Sequence, residues 1–382
     1  MTIQHYLAMV GHAAAAQRCH AAGALAHIYL ETGRAFEDRC AAEAALTLLL
    51  DDPSPKVRLA LAEAFSTSAH APVHIVASLA RDQIEIAAYM LARSMVLTDI
   101  DLIDCIAGGC GETQKVIAGR AKVSFAVSAA LIEIAEPVAI LALLANTRAH
   151  IADISFRRLI ERFGHVADIR ALLADDNRLP ADCRHALALK VAEALCRMDI
   201  VMALMGERRA KRITSEACVK ASISLVAATP PEQYPALIEH LQLRGDLTTA
   251  FVIRIVASGK IDFFGSILVS LSGHTLSRVR NLLIDGRDAA LGALFTAAGL
   301  PDSTHQPLRI ALHAWRDVAN GKLAIGPQEV TRRMMEHLVP DNHGLPGDFA
   351  VANDDMQSLL RKIYLEAIRE NARDHALAMA AA

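Results

Sequence analysis

The sequence is poor in the residues on which many folds depend. Aromatic side chains make up 4% of the 382 residues, with a single tryptophan, Trp315, whereas 53% of the residues are hydrophobic. A core must therefore be built from alanine, leucine, isoleucine and valine. Such a core favours closely packed helices over a β-sandwich, because sandwich strands depend on aromatic and β-branched residues in alternation. We expect an all-α fold.

The sequence also lacks an excess of either charge. The 39 lysines and arginines face 42 acidic residues, which gives a net charge of −3. A chain this close to neutrality has no global field to attract nucleic acid or anionic lipid, so any such contact needs a local cluster of charge. We therefore do not expect nucleic acid to be a partner.

Long apolar runs without charge are absent too. The longest apolar stretch, residues 123–144, is interrupted by Glu133, Glu136 and Pro137, while a bilayer span requires about 20 largely uncharged residues. The pattern predicts two buried helices separated by a turn, and no membrane span. The N-terminus has no basic segment ahead of an apolar one, which argues against a signal peptide.

Cysteine pairs with ligand or redox spacing are missing. The cysteines form no CxxC pair, are odd in number and lie among apolar helical residues, which is typical of small hydrophobes in a reducing compartment. The seven positions are Cys19, Cys40, Cys105, Cys110, Cys183, Cys196 and Cys218. This usage predicts a cytoplasmic protein.

The first half does contain a repeat, in which a leucine ends a helix-like run and an aspartate or asparagine follows three residues later. The first two instances are 30 residues apart (52 to 82), as are the last two (146 to 176). The interval between residues 82 and 146 leaves room for a degenerate copy around residues 108–113. Two helices per unit at such a period predict a HEAT-like α-solenoid of helical hairpins. The four instances are Leu49 with Asp52, Leu79 with Asp82, Leu143 with Asn146, and Leu173 with Asp176.

The Asp and Asn positions are interpreted as helix-capping residues, with ligand binding as the alternative. Apolar stripes at helical spacing support the prediction of hairpins, because each stripe must be buried against a neighbouring helix. The stripes are Val57, Leu61 and Phe65; Ile84, Ala87, Ala88, Leu91 and Met95; Phe156, Leu159, Ile160 and Phe163; and Leu187, Val191 and Leu195.

Proline and glycine punctuate the second half, where we expect shorter helices and glycine as the left-handed residue after several helix ends. Towards the C-terminus we expect a helix near 328–338 and a long charged helix from about 354 to 375. A loop containing Pro340, Gly344, Pro346 and Gly347 separates them. The predicted organisation is 1–200 for the HEAT-like repeats, 201–325 for a second α-helical region and 326–382 for the C-terminal helices. The punctuating residues are Pro230, Pro231, Gly245, Gly259, Gly273, Gly286 and Gly299.

A block in the second half resembles a known family. Residues 245–249, 253–264, 271–274, 278–287 and 293–301 are similar to the characteristic block of a bacterial family of unknown function, domain-of-unknown-function family 2336. The similarity spans roughly residues 240–315, with His274-Thr275 where the family commonly has a proline. The resemblance implies an all-helical, HEAT-like protein of the bacterial cytosol, and it supplies no activity or catalytic residues.

Motifs that carry catalysis are absent. The sequence has no GxSxG elbow, P-loop or GxGxxG, and residues 108–112 are interpreted as an inter-helix turn because they lack the Lys-Ser/Thr of a phosphate loop. His12, His20 and His27, with Cys19 between them, are spaced more widely than zinc ligand pairs. We predict neither a metal nor a cofactor.

One basic cluster is the best candidate binding feature. Arg208, Arg209, Lys211 and Arg212 follow Gly206, and four cations within five residues could bind phosphate or a carboxylate-rich partner. The alternative is a solvated helix end, since cations near a helix C-terminus suit its dipole.

The leading functional hypothesis is a non-enzymatic scaffold or regulatory adaptor that binds a protein partner on the solenoid surface. The second is nucleic-acid or phosphate-ligand binding through the basic cluster, which the near-neutral charge and the shortage of stacking aromatics disfavour. The third is an enzyme whose active site is assembled between repeats, because catalytic groups are recognised by geometry. The sequence leaves the partner and the oligomeric state open.

Overall fold

Helices are the regular secondary structure of this chain wherever its structure is described. The computed structural model describes residues 13–31, 36–337 and 347–381. These ranges hold 22 α-helices and one 3₁₀ turn, and their only β-type pairing is an isolated parallel bridge between Val123 and Ala149. The predicted all-α class is confirmed. Within the described ranges, no helix combines the length and the apolar character that a bilayer crossing requires.

The chain divides into two compact units, Met1–Leu179 and Pro180–Ala382, which we describe separately. The described helices of the first unit are α1 (Ala15–Leu30), α2 (Phe36–Leu49), α3 (Pro55–Phe65), α4 (Val73–Leu79), α5 (Ile84–Arg93), α6 (Asp99–Gly108), α7 (Gly111–Ala118), α8 (Phe125–Ile134), α9 (Pro137–Ala145), α10 (Asp153–Phe163) and α11 (Ala167–Asp175). Helices α8 and α9 are the two helices predicted for the long apolar stretch, but each is buried only on one side, through four residues.

The helices of the first unit pack in two rows. Each odd-numbered helix from α1 to α11 contacts the next odd-numbered one, and α6, α8 and α10 contact one another in the same order. The stripe residues Val57, Leu61, Phe65 and Leu159 are fully buried between neighbours, whereas Met95 is 67% exposed, and its assignment to a stripe is wrong. A single amphipathic hairpin cannot bury its apolar stripe, so stacking supplies the missing surface.

Two ion pairs link successive odd helices at the predicted repeat positions. Arg18 on α1 donates two hydrogen bonds to Asp52 (2.7 and 2.9 Å), and Arg58 on α3 donates two to Asp82 (2.5 and 3.1 Å). Asp52 also accepts the Ser54 N–H just before α3. These contacts lower the pKa of Asp52, chiefly through the hydrogen bond from Arg18. Both carboxylates therefore have a structural role in binding an arginine, whereas the predicted capping is wrong here, because neither side chain accepts from the first turn of α3 or α5.

The last two repeat positions are not equivalent to the first two. Asp52 and Asp82 lie inside hairpins, after α2 and α4, whereas Asn146 and Asp176 follow α9 and α11, in the other row. The same spacing, from a leucine to an aspartate or asparagine, therefore occurs in two different kinds of link between helices. The predicted register of the repeat is wrong across its centre. The segment around residues 108–113, between α6 and α7, is the link that corresponds to Asp52 and Asp82.

A second set of polar contacts joins the ends of the odd helices. The side chain that follows one odd helix donates to carbonyls at or just beyond the end of the odd helix before it: Arg120 to Leu91 and Ser94, Asn146 to Ala118 and Arg120, and Arg178 to Asn146 and Ala149. The final carbonyls of a helix have no partner within it. Side chains of the next repeat thus satisfy them, and the stack gains directional contacts besides its apolar core.

The second unit surrounds one apolar core. Helix α16 lies at its centre, because six of its nine residues are buried and it contacts α14, α17, α20, α21 and α22. The described elements are α12 (Ala181–Cys196), α13 (Asp199–Met205), α14 (Glu207–Ala228), the 3₁₀ turn Pro231–Gln233, α15 (Tyr234–Arg244), α16 (Thr249–Ala257), α17 (Ile261–Ser272), α18 (Leu276–Asp285), α19 (Asp288–Ala297), α20 (Asp302–Ala319), α21 (Pro327–Glu336) and α22 (Gly347–Ala381). The two C-terminal helices are confirmed, and the predicted loop before α22 lies largely outside the described residues.

Glycine ends several of these helices in the predicted left-handed conformation. Gly245, Gly259, Gly273 and Gly299 all have positive φ, whereas Gly286 does not, and the prediction for it is wrong. Gly259 has a second constraint, because a Cβ there would lie 3.1 Å from the ring of Trp315. That indole donates a hydrogen bond to the Val256 carbonyl at 2.8 Å, which fixes the ring over the turn.

We expect Gly259→Ala to destabilise the second unit by about 2 kcal/mol, from left-handed strain and from overpacking against Trp315. The matched control is Gly273→Ala, since Gly273 has a φ of 69° and no neighbour within 4 Å of its virtual Cβ. It should lose only the strain component, about 1 kcal/mol. Urea unfolding followed by the fluorescence of the single tryptophan measures both. Equal losses would show that Trp315 yields to the methyl group without cost.

Candidate functional site

The basic cluster lies at the beginning of a helix. Arg208, Arg209, Lys211 and Arg212 are exposed in the first two turns of α14, directly after Gly206, whose φ is 72°. The cluster is thus a solvated helix end, as in the alternative interpretation, but the predicted C-terminal position is wrong, and the positive dipole of an N-terminus disfavours cations. Lys211 forms an ion pair with Glu207 at 2.5 Å. Among the described residues, the three arginines have no ion-pair partner.

The cluster is next to an exposed apolar tip that the sequence analysis missed. Helix α13 joins α12 to α14, and none of its seven residues is buried. Ile200 is 62% and Leu204 76% exposed. Val191 and Leu195, predicted to be core residues together with Leu187, are also exposed, so the predicted stripe on α12 is wrong beyond Leu187. The sequence feature that could have indicated this tip is the apolar run 200–205, which lies shortly before the four cations.

A cleft of about 900 Å³ lies in the same unit, lined by residues of α12, α13, α14, α15 and α16. Its most unusual lining residue is His185, which is 3% exposed and whose Nδ1 has no hydrogen-bond partner in the described structure. The His240 ring packs edge-on against it at 5.3 Å. Burial, and then His240, lower the pKa of His185 to about 4. The imidazole is therefore neutral near pH 7.

The remaining chemistry of the cleft is mixed. Cys196 Sγ lies 3.1 Å from Thr214 Oγ1, and burial raises the pKa of Cys218, which disfavours a reactive thiolate. The charged lining residues include Lys211 and Arg244, paired with Glu207 and Asp246. The cleft thus combines apolar walls, paired charges and one neutral imidazole, which suits ligand binding better than nucleophilic catalysis.

The histidines considered as metal ligands do not form a site in the described structure. His12 lies outside the described residues, and His20 and His27 are exposed on α1. The part of the chain that the structure describes holds no group of three or more His, Cys, Asp or Glu side chains that could bind a metal.

The first unit presents a row of exposed apolar side chains, one from the first turn of each of four successive even-numbered helices. Val73 is 66%, Ile100 73%, Phe125 57% and Ile154 73% exposed, and we name these four residues the apolar row. Each is the first or second residue of its helix, in α4, α6, α8 and α10. Exposed apolar residues are ordinary singly, whereas the same position repeated across neighbouring helices forms a surface.

Contacts at corresponding ends relate two pairs of these even-numbered helices. Before α8 and α10, the His150 N–H donates to the Val123 carbonyl at 3.0 Å, and the Phe125 and His150 rings lie 5.3 Å apart. At the other ends of α4 and α6, Cys105 Sγ contacts the Ala80 carbonyl at 3.9 Å. Helices α6, α8 and α10 pack on one another in this order. Packed helices lie about 8–10 Å apart, so these three offer one apolar side chain per step of about that length.

Fold and surfaces together define an all-α protein with stacked helical hairpins and exposed apolar surfaces. A family model described as an uncharacterised protein conserved in bacteria, domain-of-unknown-function 2336, matches residues 86–345, more than half of the chain. The chain belongs to this family, and the resemblance noted in the sequence is confirmed. Comparison with curated proteins and with solved structures gave no match.

Proposed function

We propose that this protein is a non-enzymatic scaffold or regulatory adaptor of the bacterial cytoplasm, and that its first unit is a HEAT-like α-solenoid that binds a protein partner. The three-part organisation 1–200, 201–325 and 326–382 belongs to the same proposal. The observation that carries it is the apolar row, because four side chains that are more than half exposed recur at one structural position. Such repetition is unfavourable in water unless a partner covers it.

The spacing of the apolar row favours an amphipathic helix as the bound element. Seven residues of α-helix rise about 10.5 Å, close to the step between packed helices. A helix with one apolar residue per heptad could therefore place one anchor beside each of the four exposed side chains. About 20 residues would cover the row. Helical segments in apolar grooves are a common mode of peptide recognition.

Acidic residues flank two members of the row. Asp99 and Asp101 are on either side of Ile100, and Asp153 precedes Ile154. Asp101 is also committed to a capping box with Thr98, so part of this acidity stabilises the helix end. The remaining charge favours a partner helix whose polar edge is basic.

We expect Ile100→Ser with Ile154→Ser to weaken capture of this partner by about tenfold or more, since each loses an exposed anchor worth about 1 kcal/mol or more on burial. The matched control is Leu48→Ser, because Leu48 is also exposed in the first unit but lies outside the row. Tagged wild type and both variants are used for capture from lysate of the native bacterium, with quantitative mass spectrometry. The proposal predicts a stoichiometric protein retained by wild type and control and lost by the double variant. A partner retained equally by all three, or none, contradicts it.

A further inference from the structure

The apolar tip of the second unit differs from a groove or a single amphipathic face. At 100° per residue, Ile200, Met202, Leu204 and Met205 spread over about 200° of the helix circumference, which is wider than the stripe of an amphipathic helix. All four are exposed, as is Met198 just before the helix. Helix α13 packs mainly on α12 and α14, the two helices that it connects. Apolar side chains over so wide an arc are normally buried, whereas here they are exposed to solvent.

Cations border the tip on both sides. Arg197 precedes it, and Arg208, Arg209, Lys211 and Arg212 follow it. Segment 197–212 holds these five basic residues and two acids, Asp199 and Glu207, so its net charge is +3 in a chain whose net charge is −3. Glu207 is already neutralised by Lys211. The unpaired arginines are thus available for an anionic partner.

We propose that residues 197–212 bind the surface of an anionic lipid bilayer, with the α13 tip inserted among the headgroups and the flanking cations on the lipid phosphates. A lipid phase covers every exposed side of an inserted element at once, which suits apolar side chains that spread over about 200° of the helix. Interfacial helices enter the bilayer by about 5–10 Å, close to the diameter of one helix. Guanidinium groups bind phosphate in a bidentate manner, which suits the arginine-rich border.

The charge and the apolar side chains of residues 197–212 disfavour a second copy of the chain and nucleic acid as the bound partner. In a symmetric dimer built on this surface, the cluster of one copy would approach the cluster of the other, which repels like charges. Nucleic acid would use the cations but leave the exposed Ile200 and Leu204 without a role. This inference is independent of the scaffold function, because it concerns the second unit and does not involve the apolar row.

The experiment is flotation of the full chain with vesicles of two parts phosphatidylcholine to one part phosphatidylglycerol, and with vesicles of phosphatidylcholine alone. Two variants test the two components: Ile200→Ser with Leu204→Ser for the tip, and Arg208→Gln with Arg209→Gln and Arg212→Gln for the border. Matched controls are Leu243→Ser and Arg278→Gln, which alter exposed residues elsewhere in the same unit. Tryptophan fluorescence and circular dichroism verify that each variant is folded.

We expect binding to the mixed vesicles that decreases as salt rises, because the charges are at the surface. The border variant should lose about a hundredfold in partition, because three cations leave the anionic surface, and the tip variant about tenfold or more. The controls should bind as wild type does. Absence of binding, equal binding to uncharged vesicles, or retention by both variants overturns the proposal. So does preferential binding of duplex DNA or an acidic protein, or a dimer that the tip variant dissociates without any vesicle binding.

Discussion

Replacing Asn146 with alanine should destabilise the first unit by about 3 kcal/mol, from three hydrogen bonds at about 1 kcal/mol each. Its amide donates to the carbonyls of Ala118 and Arg120 at 2.9 and 2.8 Å, and its Oδ1 accepts the Arg148 N–H at 3.0 Å. These contacts connect the end of α9 to the end of α7. Loss of the side chain leaves two helix-end carbonyls without their partner from the next repeat.

The loss of stability should be confined to the first unit and should depend on the N–H donors of the Asn146 amide. Asn146→Asp retains the acceptor but places a carboxylate against two carbonyl oxygens, so it should be at least as destabilising as alanine. Hydrogen exchange with mass spectrometry should show amide protection in α7 and α9 falling by about a hundredfold. Trp315 fluorescence reports the second unit as an internal reference. A loss no larger than that of Ser68→Ala, which removes an exposed hydrogen bond, would show that the stack does not depend on this contact.

Acidification should destabilise the second unit through His185 by up to about 3 kcal/mol between pH 6.5 and pH 4. The folded state holds the pKa of His185 at about 4, whereas the unfolded chain has the ordinary value near 6.5. The unfolded state therefore binds the proton first as the pH falls, and stability decreases through this interval. His240 and Arg244 oppose the imidazolium, while Asp246 favours it.

The measurement is urea unfolding of wild type and His185→Leu at pH 7 and pH 4.5, followed by the tryptophan. The free energy of unfolding of the variant relative to wild type should rise as the pH falls, because the variant has no imidazole to protonate. His337→Gln, an exposed histidine of the same unit, serves as the control and should follow wild type. Parallel pH profiles for wild type and His185→Leu would exclude this origin of acid sensitivity.

The fold class could be predicted because composition and helical periodicity are local properties. The shortage of aromatics and the interruption of the long apolar run at Pro137 suffice to predict α8 and α9. The family block was found for the same reason, since α16 and α17 form the core of the second unit and their sequence pattern is dense. The glycines at 245, 259, 273 and 299 follow helix ends whose geometry requires positive φ.

The register of the repeat could not be predicted, because similar spacings serve two different links. Asp52 accepts from an arginine of α1, whereas Asn146 donates to the end of α7, and both follow a leucine by three residues. Only the partner distinguishes them, and that partner is 26 to 34 residues away. The exposed surfaces were missed for a related reason. Ile154 and Ile200 are ordinary core residues by type, and only their position at a helix start or tip exposes them.

The most direct test of the scaffold is photo-crosslinking from the apolar row. A photoreactive amino acid replaces Ile100 in the full chain, expressed in the native bacterium, and the same residue replaces Leu48 as the off-row control. The account predicts one dominant protein crosslinked from position 100 and not from position 48, with the crosslinked peptide in an amphipathic helix. Crosslinks of equal pattern from both positions, or none from position 100, would contradict it.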